Sequence, residues 1–467
     1  METMRLVEKH VIRKSSREWK EIDDLAFKSK NLYNRANYEI RQHFFQTSEI
    51  LSYNEMASRM QTEEAYCDLP RKVSQQVLRC LDKNWKAWKE ADKAYKKNPA
   101  KFLGKPKLPK YKDKEKGRNL LVYTIQAISS KELKRGWIKP SGTSLMISCR
   151  KQDINEVRIV PRLNYYVVEV IYEQSIQQLV SGESIAGVDI GLNNLAAVTS
   201  NQKGFKTFLV NGRPVKAINH YYNKKKAELQ SRLKGNKKTS NKLQRLSTKR
   251  GFKIDDYLHK ASRFIIDHLV SCNISTLVIG KNDNWKQEIN IGKSNNQNFT
   301  AVPHARFIEM LTYKAELVGI KVIITEESYT SAASFLDGDL IPIYGTPESK
   351  ATKFSGHRIK RGLYKSKIGI RFNADVNGSY NIIRKAVPDA FCNGMEGVVV
   401  HPVKVTLTNW FPHFSVKLET ISAEISYRLT RESICLANLA APGCSSGFLV
   451  YHHAQAIKTA WKGSLIQ

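Results

Sequence analysis

Paired cysteines are missing from this sequence. Its seven cysteines (Cys67, Cys80, Cys149, Cys272, Cys392, Cys435 and Cys444) are odd in number, and no two stand at C-x-x-C spacing. That argues against both a disulfide framework and a zinc ribbon. Long apolar runs are missing too, with nothing near the ~18 residues that a membrane span needs. The opening METMRLVEKHVIRKSS is charged from its second residue and lacks the apolar centre of a signal peptide. Acid is scarce: 43 Asp and Glu stand against 76 Lys and Arg, a net charge of +33 with a pI near 9.8. Such an excess attracts polyanions and releases condensed counterions when it neutralises phosphates. Together these features imply a cytoplasmic, reducing setting, no membrane, and nucleic acid as the partner.

What is present fills several domains. The chain has 467 residues, 41% of them hydrophobic, so it is no disordered basic tail. Twenty Tyr and 17 Phe supply faces on which bases could stack. Residues 4–13 alternate as a strand does. Residues 16–97 read mostly as helix, with Leu25, Leu32 and Tyr33 on one spacing and Val73, Val77, Leu78, Leu81 and Trp85 on another. Trp85 and Trp88, at helical spacing, read as core before they read as base-stacking platforms. PAKFLGKPKLPKYKDKEKGR then breaks the pattern with Pro, Gly and Lys. Short strands follow at residues 145–148, 157–159 and 165–171.

The second half begins with three strands, at residues 184–190, 195–199 and 206–210. A basic helical stretch over residues 214–270 is interrupted by KGNKKTSNK, as in an antiparallel helix pair. Buried strands at 276–279 and 322–325 flank a helix at 303–318, and a last helix starts near Asp375. This order describes an α/β domain with a mixed sheet. Residues 401–467 show no sustained period and read as an irregular tail.

Three carboxylate signals carry the chemistry. Asp189 lies within IAGVDIGLNNLAAVTS, in an apolar strand, where an uncompensated carboxylate costs several kcal/mol. Asp375 lies in RFNADVNGSYNIIRKA at a helix start, a position that free amides and the helix dipole also favour for purely structural reasons. Glu326 and Glu327 end the strand in KVIITEESYTSAASFLDGD, and the pleat allows only one of them to face a shared site. Three such carboxylates can hold two divalent cations that clamp the attacking water and the leaving oxygen of a phosphodiester. Oxygen ligands suit Mg²⁺ or Mn²⁺, two ions, with no zinc expected.

The sequence resembles the TnpB family of transposon-encoded, RNA-guided RuvC nucleases, relatives of the type V CRISPR effectors. The likeness spans residues 1–400. It is carried by LPRKVSQQVLRCLDKNWKAW, PAKFLGKPKLPKYK, GVDIGLNNLAAV, ESYTS, NADVNGSYNIIRKA and EGVVVHPVKV. The resemblance implies an α/β multidomain protein: a WED-type β-barrel interrupted by a helical REC segment, then an RNase H-like RuvC nuclease with a small target-binding insertion. The implied boundaries are WED 1–15, REC 16–100, WED barrel 101–182, RuvC 183–328, an insertion without zinc 329–370, RuvC 371–400, and the tail 401–467. It also implies a guide RNA (an omega-RNA or a crRNA-like molecule), a double-stranded DNA target and one protein monomer per RNA.

Asp189 and Asp375 fall on the family's first and last catalytic Asp. The middle carboxylate departs from the pattern: where V-I-E-D-L is usual, this chain reads TLVIGKND, with Gly280 in place of the Glu. Either the nuclease is dead, leaving an RNA-guided DNA-binding repressor, or the neighbouring strand supplies the carboxylate. Some relatives are similar in carrying the Glu two residues before the Tyr of Y-T-S, which here is Glu327. The expected catalytic and metal-binding set is therefore Asp189, Glu327 and Asp375, with Glu326 as fallback and Asp283 as a third candidate. A more distant alternative is an ordinary DNA transposase. The basic stretches at residues 96–118 and 223–250 read as RNA or heteroduplex contacts, or as solvated faces.

Overall fold

The computed structural model describes residues 2–282, 292, 296–297, 300–392, 394, 397–408 and 415–420. These divide into two compact units, residues 1–175 and 176–467. No helix among the described residues is long and apolar enough to cross a membrane.

The first unit opens with β1 (Thr3–Arg13), followed by α1 (Trp19–Thr47), α2 (Tyr53–Met60), α3 (Glu64–Cys67) and α4 (Arg71–Lys97). The chain returns as β2 (Leu121–Thr124), α5 (Ser130–Lys134), β3 (Trp137–Ile138), β4 (Ile147–Ser148), β5 (Glu156–Pro161) and β6 (Tyr165–Ser175). The expected helical insertion between β pieces is thus present. β1 pairs antiparallel with β6 along its whole length, and the sheet order is β1-β6-β5-β2. Trp85 is fully buried, and its indole N–H donates to Asn37 Oδ1 at 3.0 Å. Trp88 packs edge-on against it, ring centroids 5.6 Å apart. Trp85 belongs to the core and the half-buried Trp88 packs against it, as their helical spacing suggests.

The second unit is built on a seven-stranded mixed sheet. Its strands are β7 (Ile185–Asp189), β8 (Asn194–Ser200), β9 (Phe208–Asn211), β10 (Thr276–Gly280), β11 (Lys321–Thr325) and, after the three-stranded sheet below, β15 (Val403–Thr408) and β16 (Ser415–Thr420). The order is β11-β10-β7-β8-β9-β15-β16. β7, β8 and β9 run antiparallel in turn, while β10 is parallel to both β7 and β11. Residues 401–420 are therefore not all irregular tail: β15 adds in parallel to β9, and β16 pairs with β15. Sequence period failed there because strands of six residues offer few repeats to count. The remainder of the expected tail, 409–414 and 421–467, lies outside the described residues.

Strand parity divides the two faces of this sheet. Ala186, Val188, Leu277 and Ile279 pack in one cluster with Leu258, Ile265, Phe307 and Leu311. These come from α7 (Asn241–Ser271), which follows α6 (Arg213–Ser231), and from α8 (His304–Leu317). Ile185 and Val278 pack on the other face against Val376, Tyr380, Ile382 and Ile383, all from α10 (Ala374–Ala386). Between β11 and α10 lie α9 (Pro347–Ala351) and a small antiparallel sheet of β12 (His357–Lys360), β13 (Leu363–Lys365) and β14 (Arg371–Asn373). Tyr364, Phe372 and Ala374 form its minimal core. Asp337 and Asp339 tie its loops by accepting from the backbone N–H of Lys367 and Ser355.

Candidate active site

Asp189 ends β7, on the same parity as Ile185 and Gly187, and so faces α10. The helix lies close because glycines line the approach. A Cβ on Gly187 would stand 2.5 Å from the Ser379 carbonyl oxygen, and one on Gly378 would stand 2.6 Å from Asp189 Oδ2. Ser379 Oγ donates to the Gly187 carbonyl at 2.9 Å, locking helix to strand. Asp375 sits in the first turn of α10, but the cap is Asn373, whose Oδ1 accepts from the backbone N–H of Asp375 and Val376. With capping done by its neighbour, the Asp375 carboxylate is oriented instead by Asn194, whose Nδ2 donates to it at 2.7 Å. Asn194 opens β8.

The candidate middle position is Gly280. It ends β10, on the parity of Val278, and pairs in register with Thr325 of β11. A Cβ at position 280 would lie 2.6 Å from Ile382 Cδ1, 2.8 Å from Glu327 Oε2 and 3.2 Å from Glu327 Cβ. The Glu327 side chain therefore occupies the room that a side chain on residue 280 would need. Asn282 holds it there: its Oδ1 accepts from the Glu327 backbone N–H at 3.0 Å, and its Nδ2 donates to Oε1 at 3.3 Å. The second carboxylate oxygen, Oε2, is buried with no hydrogen-bond partner.

Glu326 points elsewhere. Its Oε1 accepts from the Ser328 backbone N–H at 2.6 Å, and its other oxygen is ion-paired with Lys385 near the end of α10. Both glutamates lie just beyond the end of β11, before a turn at residues 328–330, so their partners rather than the strand pleat set them apart. Asp283 lies outside the described residues.

The electrostatics separate the carboxylates further. Burial, then the charges of Asp375 and Glu327, hold the Asp189 carboxyl well above the usual aspartate range, with Arg358 opposing. Burial, then the charge of Glu326, raises Glu327 to about 7, with Lys385 opposing. Burial works against ionisation at Glu326 as well, but the hydrogen bonds from Lys385 and Ser328 prevail and bring it below the ordinary glutamate value. Two carboxyls forced upward beside a third are a set that a cation would relieve. The oxygen-only donors suit a hard divalent ion. As the side chains stand, no three His, Cys, Asp or Glu among the described residues converge tightly enough to hold one.

Sequence reasoning missed the supporting amides. Asn377 and Asn381 of α10 donate to the carbonyls of Ala333 and Thr330, and Asn377 Oδ1 accepts from the Phe335 backbone N–H. The helix thus clamps the segment that follows ESYTS and fixes where Glu327 emerges. Five asparagines within NN and NADVNGSYN, beside and on apolar elements, are the available signal.

The chain matches two family models: one described as a probable transposase, over residues 165–286, and one for a Cas12f1-like TNB domain, over residues 304–382. A TnpB-like protein of Acidianus two-tailed virus is 23% identical over 438 residues, 82% of this chain and 85% of that protein. A TnpB-like protein of Methanocaldococcus jannaschii is 26% identical over 212 residues, 44% of this chain and 69% of that protein. Among solved structures, a Cas12f1–sgRNA–target DNA complex aligns over 78% of this chain and 83% of its own, at 14% identity and a TM-score of 0.48. The mini-RNA-guided endonuclease CRISPR-Cas phi3 aligns over 85% and 93%, at 9% identity and a TM-score of 0.41. The likeness to the TnpB family that the motifs carry is therefore shared by the family models and by these curated relatives.

Proposed function

We propose that this chain is an RNA-guided DNA endonuclease that binds Mg²⁺ or Mn²⁺ through Asp189, Glu327 and Asp375. One observation carries the reading. The space beside Gly280, where the family's usual Glu would project, is filled by Glu327, with an unpartnered buried oxygen next to a repelled Asp189. When bound, two such ions clamp the attacking water and leaving oxygen of a phosphodiester and lower the barrier to hydrolysis. The chain's own residues prepare that arrangement. Asn194 orients Asp375, Asn282 orients Glu327, and Lys385 holds Glu326 aside. For the set to close around an ion, the Asp189, Glu327 and Asp375 carboxylates would have to converge further. A guide RNA pairs with the target strand beside a short flanking motif, so base pairing reads sequence while the protein reads shape. In this reading the β1-β6-β5-β2 sheet belongs to a WED-type barrel, α1–α4 form REC, and the β12–β14 segment binds target nucleic acid.

The alternative is a nuclease-dead, RNA-guided repressor, favoured by Gly280 itself. One experiment separates the two: sequence the RNA that co-purifies, then offer the complex a matching DNA plasmid library with randomised flanks and Mg²⁺. Guide-dependent cutting supports the nuclease; guide-dependent binding without cutting supports the repressor.

A further inference from the structure

Between α4 and β2 the first unit carries a stretch with no strand and only one turn of 3-10 helix, over residues 98–120. A segment that long without regular structure must find partners for its backbone or remain solvated. Here one helix supplies them. Along α1, Ser29 Oγ donates to the Leu120 carbonyl at 2.9 Å, and Lys30 Nζ donates to the Lys114 carbonyl at 2.6 Å. Asn34 makes a reciprocal pair with Lys112: Nδ2 donates to its carbonyl and Oδ1 accepts from its N–H, both at 2.9 Å. Asn37 and Arg41 both donate to the Pro109 carbonyl, at 3.1 and 2.8 Å. Donor numbers rise along α1 as acceptor numbers fall, so the segment runs antiparallel to the helix as a strap. Lys30 is only 2% exposed, although burial lowers its pKa; such a lysine is a structural donor, not a surface charge.

Five of the strap's own lysines do the opposite, while Lys112 lies over the Tyr33 ring. Lys105, Lys107, Lys110, Lys114 and Lys116 are all exposed, and none is ion-paired among the described residues. Of the two acids nearby, Asp113 is engaged by the backbone N–H groups of Glu115 and Lys116. Tyr111, also exposed, lies under the Arg41 guanidinium at 4.7 Å. The backbone that carries these ammonium groups is thus pinned by side chains of α1.

We propose that this strap is a preorganised rail for one phosphodiester backbone, and that Asn34 is its positioning residue. It rests on the reading that the protein binds nucleic acid, but not on cleavage. Preorganisation removes ordering cost from binding without adding contacts. The lysines therefore set how many counterions are released, while Asn34 sets only how tightly the row is held.

The test uses the full-length protein, a 20-base-pair RNA duplex and a DNA duplex of the same length, with affinity measured by fluorescence anisotropy over a salt series. Combined Lys107→Gln, Lys110→Gln and Lys114→Gln should flatten the log–log salt dependence by about one unit per lysine that meets a phosphate. Asn34→Ala should weaken binding about tenfold (~1.4 kcal/mol) with the slope unchanged, and thermal melting should show the unit still folded. The two duplexes report whether the rail takes RNA, DNA or both. An unchanged slope in the triple variant overturns the rail. Unchanged affinity in Asn34→Ala, or a slope that falls as in the lysine variant, overturns its positioning role. Absence of cleavage in every protein leaves these slopes as they are and counts only against the nuclease reading.

Discussion

Glu327→Gln should make the protein more stable and far less active. The carboxyl's rise from 4.5 to about 7 follows first from burial and then from the charge of Glu326. The sign follows from proton linkage: an acid whose folded pKa is raised binds protons more tightly when folded. Its ionisation therefore costs nothing below the unfolded value, grows between about 4.5 and 7, and is fully present above. At 1.36 kcal/mol per pH unit the cost reaches about 3 kcal/mol at pH 8. A neutral Gln of the same shape removes it and retains an oxygen for Asn282. In metal-free buffer at pH 8 the variant should melt several degrees higher than the parent, and the gap should close near pH 4.5.

Activity should move the other way. Losing the third carboxylate should slow guided cleavage by at least about a hundredfold, ~2.7 kcal/mol of barrier. Glu326→Gln, whose carboxylate is already engaged by Lys385, should cut at close to the parent rate. The assays are differential scanning calorimetry across pH and single-turnover cleavage of a matched plasmid. A Glu327→Gln protein that cuts normally refutes the relocated carboxylate, and a reversed pattern moves it to Glu326. A variant that melts lower than the parent at pH 8 refutes the burial argument.

Asp189→Ala and Asp375→Ala should each abolish cutting while preserving guided DNA binding in gel shifts; loss of RNA binding alongside would make the residue structural. Cleavage should require Mg²⁺ or Mn²⁺ and survive a zinc-selective chelator, a result overturned by loss of cutting that zinc alone restores. Gly280→Ala should cost about 1–3 kcal/mol from overpacking against Glu327 and Ile382. Glu327→Ala should recover part of that cost in a double-mutant cycle read by chemical denaturation, whereas strictly additive costs would show that the two side chains do not share the space.

Much of this molecule is determined by local chemistry, and that part was legible in the sequence. Short apolar runs bounded by polar residues placed β7, β8, β10 and β11, and the helix start at Asp375 placed α10, within a residue or two; β7, β8 and β10 are continuous apolar runs because both their faces are buried. Asp189 and Asp375 stood out because carboxylates are rare on such elements. The interruption of α1–α4 between β strands was equally plain. Tertiary structure alone decided the rest. Gly280 looks like a deletion of chemistry until Glu327 is seen in its space. Which of two adjacent glutamates turns inward depends on Lys385 and Asn282, residues far from them or across a strand gap. β15 became recognisable as strand only beside β9. The strap's order rests on α1 side chains some 70–90 positions away in the chain. Periodicity reports what one element does with its own faces; which side chain fills a gap left by another is set by packing, and packing has no period.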